Sequence, residues 1–102
     1  MKLLTEEIKA KLPKLGAMGG KDPTTVPIVV KFFSPYSVWT WYVTEGEQME
    51  DGDWEFFGMV HGVEKELGYF RLSELENAKR DKLPLVERDL YYGDNHKLSE
   101  VL

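Results

Sequence analysis

A chain of 102 residues fits one domain and buries roughly 60–70% of the surface that its unfolded form exposes, so it folds without covalent staples. It has no cysteine, which excludes disulfides, thiolate metal sites and cysteine nucleophiles, and fits a reducing compartment. The net charge of −5 is uneven: residues 1–31 carry six lysines against three acids, a balance of +3, so the other 71 residues hold −8 and repel phosphate backbones.

In chain order, Thr5 is a helix N-cap followed by Glu6 and Glu7, acids placed where the helix dipole favours them. Leu4, Ile8, Leu12 and Leu15 form one apolar stripe, and Pro13 limits this helix to about two turns, its lysines on the solvated side. Only Leu3-Leu4 is apolar at the start, so neither a signal peptide nor a membrane span is expected, and the expected location is cytoplasmic. Gly16 to Pro23 is a loop. Its Gly-Gly-Lys lacks the spacing and the Ser or Thr of a phosphate-binding loop.

Three aromatic strands follow. Val26 to Phe33 alternates, with Ile28, Val30 and Phe32 on one face and Val29, Lys31 and Phe33 on the other. Ser34 to Ser37 is a turn. Val38 to Glu45 sets Trp39, Trp41 and Val43 against Thr40, Tyr42 and Thr44, and Trp54 to Val60 sets Trp54, Phe56, Gly58 and Val60 against Phe57 and Met59. Gly58 in mid-strand implies close backbone approach. Between these strands Glu45, Glu47, Glu50, Asp51, Asp53 and Glu55 carry no cation among them. Asp51-Gly52-Asp53 lacks calcium-loop spacing, so a solvated acidic hairpin tip is expected.

Leu67 to Leu72 is a fourth strand. Ser73 and Glu76 form a capping box opening a helix to about Arg80, closed off by Pro84. Leu85 to Tyr92 is a last extended stretch in which Arg88 shares a face with Val86, Leu90 and Tyr92 and must find an acidic or carbonyl partner. The fold class is therefore α+β: a single domain, residues 1–102, with an antiparallel meander of four or five strands, an N-terminal helix and a second helix after the fourth strand.

The residues specify no reaction. His61 and His96 are far apart and lie near no nucleophile motif, so no catalytic residue, metal site or cofactor is expected. Glu87 and Asp89, on one face of the last stretch, are the best-placed carboxylate pair for a metal-dependent nuclease, but with Arg88 they equally describe a structural ion-pair cluster. The aromatic sheet is the more specific signal. If two short helices leave one face open, Trp39, Trp41, Tyr42, Trp54 and Phe57, with Arg88, form a surface for a protein partner; if loops and the C-terminal segment close both faces, they are core.

The combination Lys31-Phe-Phe-Ser-Pro35, Trp39-Thr-Trp-Tyr42, Phe56-Phe-Gly58, Glu66-Leu-Gly-Tyr-Phe70 and Glu87-Arg-Asp89 resembles a small bacterial family known as a domain of unknown function. The resemblance implies carriage on plasmids and integrative conjugative elements, near genes for conjugation or antirestriction, and some members bear a single-stranded DNA endonuclease label. It covers most of the chain but brings no mechanism, so no catalytic residue is carried over. The resulting expectation is a non-enzymatic interaction or accessory module, of antidefence type, that binds a protein through its aromatic surface. The rival is a metal-dependent nuclease or DNA-binding accessory protein using Glu87 and Asp89.

Overall fold

A computed structural model describes residues 1–102. Its centre is a five-stranded antiparallel sheet formed by β1 (Val30–Phe33), β2 (Thr40–Gln48), β3 (Trp54–His61), β4 (Lys65–Arg71) and β7 (Glu87–Arg88), in the spatial order β4-β3-β2-β1-β7. Helix α1 (Glu6–Lys11) precedes the sheet, and α2 (Leu72–Glu76) follows β4 directly. The protein is thus α+β, with one helix before the sheet and one after the fourth strand, as the sequence predicts.

Alternation gives the sheet two faces, and each acquires its own cover. On the first face Val30, Phe32, Val43, Phe56 and Phe70 are buried with Leu3, Leu4, Leu75 and Val86, while Ile8, Leu12, Leu72 and Ala78 pack around them. The Thr5 hydroxyl caps α1 through the Ile8 N–H (3.2 Å), and the helix ends before Pro13. The second face is closed without any α-helix. Val26, Ile28, Leu98 and Val101 bury Met59 there, flanked by Met18, Tyr42 and Tyr92.

That second layer corrects the expected first strand. Pro27 has no N–H to offer a ladder, and the chain bends there. Residues 26–28 leave the sheet and pair with the tail instead: Leu98 N–H donates to the Val26 carbonyl (2.9 Å), and Ile28 N–H to that of His96 (2.9 Å). Ile28 therefore sits on the opposite face from Val30 and Phe32, not beside them.

A bulge at Thr44 decides where the acids go. The register runs Val43 opposite Gly58 and then Glu45 opposite Phe57, leaving Thr44 extra, with its hydroxyl donating to the Phe57 carbonyl (3.2 Å). The extra residue turns Glu45 to the second face and sets Gly46 over Phe56, where a Cβ would stand 2.8 Å from the ring. Gly58 lies so close to the Tyr42 carbonyl that no side chain fits, as its place in mid-strand implies.

The expectation of a solvated acidic tip holds at Glu50 and Asp51, which are exposed, but not for the acids in the strands. Glu45 is buried and accepts the N–H groups of Gly16 (2.5 Å) and Met18 (3.2 Å), while Glu47 accepts that of Leu15 (3.0 Å). The carboxylates thus anchor the loop after α1 by satisfying donors that no secondary structure serves. Hydrogen bonds to charged groups contribute about 1.5–3 kcal/mol. Glu45→Ala is therefore expected to cost about 2–3 kcal/mol in urea unfolding and to accelerate hydrogen exchange at the Gly16 and Met18 amides; slow exchange retained in the variant would contradict this anchoring role.

The missing cation is supplied by β4. Arg71 Nη1 lies 2.8 Å from Asp51 and 3.8 Å from Asp53, and its Nε is 3.8 Å from Glu55. Asp53 also accepts the Ser73 hydroxyl (2.6 Å) and N–H (3.2 Å), and that hydroxyl is the main cause holding its carboxyl below the usual range. Ser73 consequently does not cap α2. The cap lies two residues earlier, at Arg71, with Glu74 reaching back to the Arg71 N–H (3.0 Å). It ends at Glu76 rather than near Arg80, because Lys79 to Lys82 offers no apolar stripe. The chain instead forms a small hairpin of β5 (Lys79–Arg80) and β6 (Leu83–Pro84), turning through Asp81 and Lys82 at φ +50° and +71°.

Candidate aromatic groove

The six aromatic and cationic residues singled out from sequence do not form one surface. Trp39 and Trp41 come together at the start of β2, their rings stacked at 6.1 Å and 23°. The turn before β2 holds Trp39 in place: the Ser37 hydroxyl oxygen accepts its N–H (3.2 Å), and its carbonyl accepts the Ser34 N–H (3.0 Å). The six-membered ring of Trp39 packs against Gly62 so closely that a Cβ there would overlap it. Trp41 continues into the first-face core, and Trp39 stays 42% exposed.

These two rings line a cleft of about 430 Å³ together with Tyr36, Ala78, Leu85 and Val86. Ser34, Ser37, Glu74 and Arg80 make the polar edge. Its polar groups are unequal in kind. The Ser34 and Ser37 oxygens already accept backbone N–H groups from Tyr36 and Trp39, which leaves their hydroxyl protons to give away. The indole N–H groups of Trp39 and Trp41, the Tyr36 phenol and the Arg80 guanidinium serve no acceptor inside the chain, and none is a buried orphan. Donors therefore dominate the groove, and Glu74 is its one carboxylate.

The remaining candidates lie elsewhere. Trp54 is at the far end of β3, half-buried under α1, with the Lys9 ammonium 5.7 Å from its ring centroid. Phe57 packs on Tyr69 (5.0 Å) on the second face. Tyr42 is half-buried there, edge-on to His61 (5.0 Å) and 6.0 Å from Tyr92. Arg88 finds the carbonyl partners that its place on an apolar stripe requires: Nη1 donates to Lys2 (2.6 Å) and Leu3 (3.3 Å), tying β7 to the N-terminal segment. Asp89 pairs with Lys31 (3.3 Å) and accepts the Tyr91 N–H (3.0 Å), in a cleft of about 330 Å³ beside Tyr92. Glu87 stands opposite Phe33 in the ladder and makes no ion pair. Lys31 also faces the Tyr92 and Tyr42 rings (5.3 and 5.8 Å), so this ion pair is fixed from several sides.

The tail that covers the second face is fastened by His96, a residue to which the sequence gives no role. Its ring stacks on Tyr92 (3.9 Å, 18°), Nδ1 meets Glu100 (2.9 Å) and Nε2 meets the Tyr92 carbonyl (2.7 Å). Two acceptors require two N–H donors, so the imidazolium is the matching form. The Glu100 hydrogen bond is the main cause raising the His96 pKa, with the Tyr92 carbonyl adding to it; burial pushes the Tyr92 phenol up to about 12. Because the folded His96 value lies above 6.5, its contribution is fully present below that unfolded value and is lost as pH rises through the folded one. Glu100, held below its ordinary value chiefly by His96, loses its share only as pH falls through that lowered pKa. An NMR titration is expected to place the His96 midpoint above 6.5 and to move it down in Glu100→Gln; an equal midpoint in the two proteins would contradict the clasp.

The fold and groove define a small α+β protein that displays a donor-rich aromatic cleft at one end of its sheet. The chain belongs to the family described as "Protein of unknown function (DUF2958)", whose model matches residues 3–102. No curated protein and no solved structure matches it significantly. No helix is long and apolar enough to cross a membrane, and no three carboxylate or imidazole groups converge as metal ligands.

Proposed function

We propose that this protein is a non-enzymatic interaction module that receives an extended, proline-containing segment of a partner protein in the Trp39–Trp41 groove. The observation that carries the reading is the donor excess of an aromatic cleft. A polyproline segment has carbonyl acceptors but few N–H donors, and its preformed backbone loses little entropy on docking against aromatic rings. Such a ligand accepts from the indoles, hydroxyls and Arg80 without leaving donors of its own unpaired. In the mobile-element setting that the family resemblance implies, the module acts as an accessory, of antidefence type, by engaging a host or element protein.

Capture from native-host lysate by the immobilised protein, set beside Trp39→Ala and Tyr36→Ala, tests this reading. Both side chains are exposed enough to be removed without opening the core. The expected result is a protein retained by the wild type, lost with both variants, and displaced by a proline-rich peptide taken from its own sequence. Retention by both variants would overturn the assignment to the groove.

A further inference from the structure

The two edges of the sheet are treated differently. At one end β7 is two residues long, its Arg88 N–H faces the Met1 sulfur, and its side chain is bonded to the N-terminal segment. At the other end β4 runs seven residues in unbroken register with β3, with no proline, no bulge and no further strand outside it. Natural sheets blunt such edges, because unpaired N–H and C=O groups template another strand.

The direction of those groups follows from the ladder. Arg71 gives its N–H to the Glu74 side chain, so it points away from β3, and strand alternation turns the N–H and C=O of Tyr69 and Leu67 outward with it. We propose that β4 pairs with β4 of a second copy, antiparallel, about a two-fold axis through Gly68, joining the two sheets into one. In that register Leu67 stands opposite Tyr69 of the second copy on either side of the axis. Each such pair exchanges two N–H···O bonds, and Gly68 meets its own counterpart in a non-hydrogen-bonded pair.

The side chains suit the same axis. Leu67 and Tyr69 are exposed on one face, at 48% and 65%, and the pairing sets leucine against tyrosine twice. Lys65 of one copy stands opposite Arg71 of the other, and the three carboxylates already around that arginine, Asp51, Asp53 and Glu55, give the end a net negative charge that offsets the like-charge pair. Glu66 lies on the opposite face of the strand, away from that cluster. Gly68 has no packing reason within one copy, since a Cβ there meets nothing within 4 Å. This pattern, symmetric about one residue, fits a copy of itself better than an unrelated strand.

Sedimentation of the full chain from low micromolar to near-millimolar concentration tests the pairing. The expected mass rises from 11.8 kDa toward twice that value, while Leu67→Lys/Tyr69→Lys stays folded at the monomer mass, its thermal transition lowered only by the lost Phe57–Tyr69 contact. In a chain without cysteine, Gly68→Cys is expected to oxidise to a covalent dimer roughly tenfold faster than Ser99→Cys, because pairing raises the local thiol concentration. A wild type that stays monomeric throughout, a dimer that survives the double lysine substitution, or equal oxidation of the two cysteine variants would overturn it.

Discussion

Gly58→Ala is expected to lower the stability of the protein by about 3–5 kcal/mol, the upper end of single-substitution effects. The reason is backbone against backbone. The Thr44 bulge presses β2 onto β3 at this point, and the added methyl would overlap the Tyr42 carbonyl, which is held in the ladder and cannot swing aside as a side-chain tip could. Phe56→Ala, one register position from the bulge, is expected to cost a similar amount by a different route. Its ring is fully buried between Phe32 (5.9 Å) and Phe70 (5.7 Å), and truncation leaves a cavity that the sheet cannot close; phenylalanine-to-alanine changes of this kind cost about 3–5 kcal/mol. Urea unfolding with an unchanged m-value measures both. A loss below about 1 kcal/mol at Gly58 would show that the strands can separate there, against the described packing.

The second large effect concerns binding rather than folding. Trp39→Ala is expected to weaken capture of the groove ligand by about 30-fold or more, the signature of an interface residue worth at least about 2 kcal/mol. It is expected to cost only about 1 kcal/mol in stability, the value of an aromatic stacking contact, since Trp39 contributes to no buried cluster and stands partly in solvent. Trp41 behaves differently because it reaches the core, so Trp41→Ala mixes the two effects. Trp54→Phe, under α1 at the other end of β3, is expected to leave binding unchanged.

The sheet was legible because alternation survives in each strand: Val30 and Phe32, Trp41 and Val43, and Trp54 and Phe56 each share a face as the period of two dictates. Gly58 and the carbonyl partners of Arg88 were legible too, since each follows from a local cost. The bulge was not, because Val43-Thr44-Glu45 alternates as well with the extra residue as without it. For that reason Glu45 looked like a solvent carboxylate, although it is buried under the amides of Gly16 and Met18 from a loop about 29 residues away. The arginine that pairs with the acidic tip is hidden in the same way, since Arg71 reaches Asp51 across 20 residues. The positive φ angles of Asp81 and Lys82 carry no glycine to announce them, so the hairpin read as the end of a helix.

The candidate site was half legible. Alternation puts Trp39 and Trp41 on one face, but the sequence groups them with Tyr42, Trp54 and Phe57, which other segments partly cover. The cover of the second face comes from residues 18–28 and 92–101, held by backbone bonds between Val26 and Leu98 and between Ile28 and His96, too distant in the chain to leave a periodic trace. His96 shows the same blindness, because its role depends on Glu100 and Tyr92 curling around it in a tail with little regular structure.

The central claim is that the Trp39–Trp41 groove is a ligand surface, and the three tryptophans carry their own internal control. In an ¹⁵N–¹H spectrum each indole N–H gives a separate signal, and the protein can be titrated with a proline-rich peptide from the captured partner. The groove reading predicts that the Trp39 and Trp41 signals move together and saturate while that of Trp54 stays still. A saturating peptide that shifts Trp54 alone, or moves none of the three, would contradict it.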